Sequence, residues 1–111
     1  MVQYLDHSFA ALADPTRRGV IRHLARSDAT ISDLAGRFGM TLTGMKKHIG
    51  VLERAGFVAT HKRGRVRTCR LGPHRLEAEA AWIEDYNRMW EERFATLDSL
   101  LEQMTKEESD D

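Results

Sequence analysis

Cysteine is almost missing from this sequence: Cys69 stands alone among 111 residues. A single thiol excludes an intrachain disulfide and any zinc knuckle built from paired cysteines, and it suits a reducing compartment. Long apolar runs are also lacking. No stretch approaches the roughly 18 residues that a membrane span requires, so no membrane partner is expected. The opening, Met1 to Leu12, carries Asp6 and His7 among its apolar residues and has neither the basic start nor the cleavage site of a secretory leader, which points to the cytoplasm. There is no phosphate-cradling glycine loop and no nucleophile beside a plausible base, and the acids fall at helical surface positions. Neither catalysis nor a cofactor is expected.

What remains is ordinary in amount: 41% hydrophobic and 31% charged residues, enough for one compact domain with one core. Its expected extent is residues 1–104, followed by a flexible acidic tail at 105–111. Net charge is zero, which by itself argues against binding a polyanion. The zero is a cancellation. From Lys46 to Arg75 nine basic residues face one acid, Glu53, whereas from Leu76 onward twelve acids face Arg88, Arg93 and Lys106.

Apolar positions Phe9, Leu12, Val20, Ile21 and Leu24 recur near helical spacing. Asp14-Pro15 interrupts them with a capping residue and a residue suited to a first helical turn, so two helices are predicted. Ser27 to Thr30 reads as a polar turn. Ile31, Leu34, Ala35 and Phe38 form one face of a third helix ending at Gly39. Thr41 offers an N-cap hydroxyl to a fourth helix, with Met45, His48, Ile49 and Leu52 inward and a close near Ala55-Gly56. Phe57 to Thr60 and Val66 to Leu71 then change to strand period around a basic turn, Lys62-Arg63-Gly64-Arg65. From about His74 to Met104 a long helix carries Leu76, Ala80, Ile83, Trp90, Phe94, Leu97, Leu101 and Met104 at alternating steps of four and three, with Asn87 as the polar member of this heptad seam. A helix of ~30 residues spans ~45 Å, more than so small a domain can cover. Phe9, Leu12, Trp90, Phe94, Leu97 and Leu101 are therefore the expected interface of a homodimer. Trp82, Tyr86 and Met89 lie off the seam and read either as core of the winged domain, the favoured assignment, or as an exposed patch.

The resulting fold class is mainly α with a small β-hairpin: a winged helix-turn-helix with a long C-terminal dimerisation helix. In that arrangement the fourth helix is a recognition helix, and its N-terminal half reaches base edges in a major groove. Thr41, Leu42, Thr43, Lys46 and Lys47 are the candidate contacts. Lys62, Arg63, Arg65 and Arg67 would meet adjacent phosphates or the minor groove. Each lysine alone reads equally as a solvated helix residue; the double-stranded DNA partner is argued from helix, turn, helix and basic hairpin together. The competing reading is a protein-interaction module that docks a partner on the acidic last helix, and such a scaffold has no use for the nine-to-one basic segment.

Ala11-Leu12-Ala13-Asp14-Pro15-Thr16-Arg17-Arg18, then Ile31-Ser32-Asp33-Leu34-Ala35, Lys47-His48-Ile49 and Leu52-Glu53-Arg54-Ala55-Gly56-Phe57-Val58 resemble the ArsR/SmtB-type repressors over nearly the whole chain. The resemblance implies a homodimer joined through its first and last helices, which binds an inverted repeat and releases it on a signal. Two of that family's metal sites have no counterpart. Thr30-Ile31-Ser32-Asp33-Leu34 stands where a Cys-Val-Cys-Asp-Leu run would supply thiolates, and no histidine follows His74 in the last helix. No metal is expected, which leaves as signal a small molecule, a partner protein or the protein's own concentration. The recognition helix also departs from the family pattern, with Gly44 at a helix-interior cost of up to about 1 kcal/mol relative to Ala. Cys69, near Arg67 and Arg70, reads as a buried, inert thiol in preference to a redox switch.

Overall fold

A computed structural model describes residues 2–109, with side chains over 5–108. The element order is α1 (Val2–Leu12), α2 (Pro15–Leu24), β1 (Ala29–Thr30), α3 (Ile31–Arg37), α4 (Leu42–Arg54), β2 (Val58–Arg63), β3 (Val66–Leu71) and α5 (Glu77–Ser109). Contacts gather these elements into two units, residues 1–76 and residues 77–111.

In the first unit, Asp14 caps α2 by accepting from the Arg17 amide at 3.0 Å, and Pro15 opens the helix. That cap and the backbone donors around it hold the Asp14 carboxyl below the usual carboxylate range, and His48 and Arg17 add to the effect. The two arginines that follow close the other side of the junction. Arg17 donates through Nε to the Ala11 carbonyl and through Nη2 to the Ala10 carbonyl, each at 2.8 Å. Arg18 Nη1 reaches the Leu12 carbonyl at 2.7 Å. The last carbonyls of α1, which a helix end leaves without intrahelical donors, are thus satisfied by cations.

Helices α3 and α4 end alike. Met40 N–H bonds the Ala35 carbonyl and Gly39 N–H bonds that of Gly36; Phe57 N–H bonds Leu52 and Gly56 N–H bonds Glu53. Both are Schellman closures, and the two glycines take the positive φ that this closure demands, 63° and 84°. Their apolar residues bury one core: Val20, Leu24, Ile31, Leu34, Met45, Ile49, Leu52, Phe57 and Val58 are all at most 6% exposed.

The sheet corrects the expected two-stranded hairpin. Ala29 and Thr30, read as part of a polar turn, form β1 and pair antiparallel with Cys69 and Thr68, giving three strands in the order β1-β3-β2. Thr30 then serves as N-cap of α3 by accepting from Asp33 N–H. Between β2 and β3, Arg63 pairs with Val66, so the turn is Gly64-Arg65. Only Gly64 has positive φ, at 65°, the pattern of a type II′ hairpin. Cys69 lies fully buried on central β3, and burial, reinforced by the Glu53 charge, raises its thiol from 9.0 to about 11. Its thiolate fraction at pH 8 is therefore about 100-fold below that of a free thiol, and alkylation by iodoacetamide should slow at least that much in the native protein and recover in denaturant.

The second unit is α5. It starts at Glu77, later than the expected His74, and runs on to Ser109, past the expected end at Met104. Residues 105–109 of the expected tail are helical, and 110–111 lie outside the described residues. Ile83, Trp90, Phe94, Leu97, Leu101 and Met104 are each at least 41% exposed. Trp82, Tyr86 and Met89, assigned to the core from sequence, are exposed as well, at 50%, 42% and 58%. Four rings follow one another along the helix surface at steps of four, the outer pairs stacked and the middle pair edge-to-face. Trp82 and Tyr86 lie 5.7 Å apart, Tyr86 and Trp90 6.3 Å, and Trp90 and Phe94 5.5 Å.

Candidate nucleic-acid interface

The recognition helix is set by its cap and its buried side. Thr41 Oγ1 accepts from Gly44 N–H at 3.0 Å. A Cβ on residue 44 would meet that oxygen at 3.1 Å and Met40 Cε at 3.4 Å. The glycine that looked costly in sequence thus sits where a side chain would crowd the cap. Met45, Ile49 and Leu52 point into the core, which by helical periodicity turns Thr43 and Lys47 to the opposite side and Lys46 to its flank, while Leu42, one turn before Met45, is exposed at the start of the helix. All four are exposed, as is Thr41. His48 is half-buried, as expected for a packing residue: its Nδ1 lies 3.2 Å from Arg17 Nη1 and 4.0 Å from Asp14 Oδ2, which joins the recognition helix to the α1–α2 junction.

Opposite this face stands the wing. A cleft of about 570 Å³ runs between them, lined by Leu42, Lys46 and Glu53 of α4, Thr30 and Ser32 at the start of α3, and Lys62, Arg65 and Arg67 of the wing. The structure thereby brings together five of the nine residues proposed from sequence: Leu42, Lys46, Lys62, Arg65 and Arg67. Thr41, Thr43, Lys47 and Arg63 are exposed but do not line the cleft. Among the described residues, no carboxylate holds Lys46, Lys47, Lys62, Arg63 or Arg65. Residues 1–76 carry fourteen basic side chains against five acids, so these cations stand in a field of their own sign, and a polyanion relieves it.

Arg67 differs. Its Nη1 donates to Thr60 Oγ1 at 2.9 Å, and the Thr60 hydroxyl donates to Glu53 Oε2 at 2.6 Å, the same oxygen that accepts the Thr60 amide at 3.2 Å. Glu53 and Thr60 were not singled out from sequence. The available signal was Glu53 itself, the one acid among nine bases. Among the described residues, no three His, Cys, Asp or Glu side chains gather as a metal site would require, and no helix is long and apolar enough to cross a membrane.

A short helix, a glycine-closed turn, an exposed cationic helix and a cationic two-stranded tip define a winged helix-turn-helix DNA-binding unit. Comparison with known proteins agrees. A helix-turn-helix domain family matches residues 12–61. A solved ArsR family transcriptional regulator is 45% identical, with a TM-score of 0.74, over 82% of this chain and 94% of that one. An ArsR-like transcriptional regulator from Rhodococcus sp. RHA1 is 31% identical, with a TM-score of 0.78, over 91% of this chain and 93% of that one. The transcriptional repressor SdpR of Bacillus subtilis (strain 168) is 26% identical over 82 residues, which make up 74% of this chain and 91% of SdpR. The chain belongs to the ArsR/SmtB-type family of winged helix-turn-helix transcriptional regulators.

Proposed function

We propose that this DNA-binding regulator is a cytoplasmic homodimeric repressor that occupies an inverted-repeat operator without metal and without catalysis. The observation that carries the reading is the cleft between α4 and the wing, with its uncompensated cations. Lys46 and Lys47, with Thr43 and Leu42, face base edges, while Thr41 holds the helix N-terminus toward the backbone. Lys62, Arg63 and Arg65 take phosphates beside the groove, and Arg67 stands opposite Lys62, one pair below the tip of the wing. Repression follows from occupancy and accords with the named role of SdpR.

Dimerisation is inferred from α5. Placed on a helical wheel, its seam together with Trp82, Tyr86, Met89 and Leu100 forms a mainly apolar arc of about 180°, interrupted by Glu79, Arg93 and Glu108 and wider than one two-helix seam covers. Side chains 41–60% exposed along that arc form an apolar surface that calls for cover. A second α5 against Trp90, Phe94, Leu97 and Leu101, with Phe9 and Leu12 of α1, supplies it. The winged unit has room for a small-molecule effector in an apolar cleft of about 630 Å³ lined by Leu12, Ile21, Phe57, Leu71 and Leu76.

Selection of bound sequences from a random duplex library tests the proposal. It should enrich an inverted repeat with half-site centres about 10 base pairs, or ~34 Å, apart; no enrichment by a well-folded dimer would overturn it. On the selected operator, Lys46→Ala should lose affinity about tenfold while binding to random DNA changes little. The double variant Arg63→Ala/Arg65→Ala should weaken binding to both. Its salt slope should flatten by about 0.9 for each phosphate contact removed, hence roughly 3–4 for a dimer with two wings.

A further inference from the structure

Glu53 is a paradox on this surface: a carboxylate lining the cleft that DNA phosphates are to approach, where like charge opposes binding. Its geometry supplies a reason for its presence. Strand β2 is an edge of the sheet, and the Thr60 amide, pointing away from β3, donates to Glu53 Oε2 at 3.2 Å. One carboxylate of the recognition helix thus satisfies a free edge donor of the wing. The Thr60 hydroxyl donates to the same oxygen at 2.6 Å and accepts from Arg67 Nη1 at 2.9 Å. The chain runs from guanidinium through hydroxyl to carboxylate. It is charge-assisted at both ends and crosses from β3 to β2 to α4. Among the described residues, no other side-chain hydrogen bond or ion pair links the wing to α4.

We propose that Glu53 is a positioning residue for DNA binding: acting through Thr60 on Arg67, it sets the wing at a fixed angle to the recognition helix. Lys46 on one wall of the cleft then meets base edges while Lys62 and Arg65 on the other meet the adjacent DNA backbone. The inference rests on the DNA-binding reading above. Arg67 is part of this brace and contributes little as a direct phosphate contact.

The test exploits opposite signs. If only charge mattered, Glu53→Ala would bind tightest, because an anion leaves the surface. Positioning predicts the reverse: Glu53→Ala and the near-isosteric Thr60→Val each bind the selected operator at least threefold more weakly than the native dimer, with a flatter salt slope as wing contacts are lost. Glu53→Gln, which keeps the acceptor and loses the charge, should bind as well as the native protein or better. Circular dichroism and thermal melting of each variant accompany the titrations; Thr60→Val retains a strand-favouring side chain and carries the test if Glu53→Ala folds poorly. Native-like or tighter binding by Glu53→Ala, or unchanged affinity and slope in Thr60→Val, would overturn the inference while leaving the DNA-binding reading intact. Failure of the native protein to bind any duplex would overturn that reading instead.

Discussion

Leu97→Asp should abolish the dimer and leave the winged unit folded. Leu97 is 41% exposed in the single chain, so its replacement removes no contact from the core around Leu34 and Met45. In the dimer the same position would trap a carboxylate between two apolar helices, once from each protomer. Burying an unpaired charge is costly enough that it either prevents association or forces protonation. A penalty of about 3–4 kcal/mol, roughly 200–1000-fold in the dimer dissociation constant, is the expected scale. Sedimentation velocity over a concentration series measures it directly, with circular dichroism as the control for folding. Operator affinity should fall with the dimer, because each recognition helix then binds alone. A tight dimer surviving in Leu97→Asp would place the interface elsewhere, and Leu97→Ala should give a much smaller shift of the same sign.

The second large effect is expected at Arg17, which does not line the cleft. Arg17→Ala removes the side-chain donors to the Ala10 and Ala11 carbonyls and the neighbour of His48 Nδ1. Hydrogen bonds to a charged group are worth more than neutral ones. A loss of about 2 kcal/mol, or on the order of 10 °C in melting temperature for a domain of this size, is expected. Arg18→Ala, which loses one exposed bond, should cost less than half as much. Both belong in chemical or thermal denaturation at one fixed protomer concentration, since dimerisation contributes to apparent stability. Equal effects of the two substitutions would mean that the bridge from α1 to α4 through Arg17 carries no weight.

The parts of the fold legible in the sequence are those where chemistry repeats or punctuates. Period 3.6 gave way to period 2 at Phe57, and Asp14, Thr41, Gly39, Gly56 and Gly64 each stood where a cap or turn needed that residue, so α2 to α4 and β3 fell within a residue or two of their places, while β2 runs three residues past the expected Thr60 because pairing extends to Arg63. Strand β1 was illegible because two residues show no periodicity; only pairing with Cys69 and Thr68 makes Ala29 and Thr30 a strand. The end of α5 was read too early. The acidic composition suggested a frayed tail, yet Glu102 and Lys106 stand four apart, as do Gln103 and Glu107, and all are good helix formers. Trp82, Tyr86 and Met89 were misplaced because a wheel shows which residues share a face and not what covers it. The candidate cations were visible as a count. The cleft that gathers some of them needed the third dimension, and so did the brace, since Glu53, Thr60 and Arg67 are joined only by the hairpin's return.

The pairing of β1 with β3 has a consequence for energetics of association. Because Thr30 is at once a strand residue and the cap of α3, the start of the helix-turn-helix and the central strand of the wing share a backbone ladder. The start of the helix-turn-helix is then tied to the wing before either meets DNA. Little conformational entropy is forfeited on association, and titration calorimetry should show the modest heat-capacity change of a rigid docking, not the large negative one of a segment that folds as it binds.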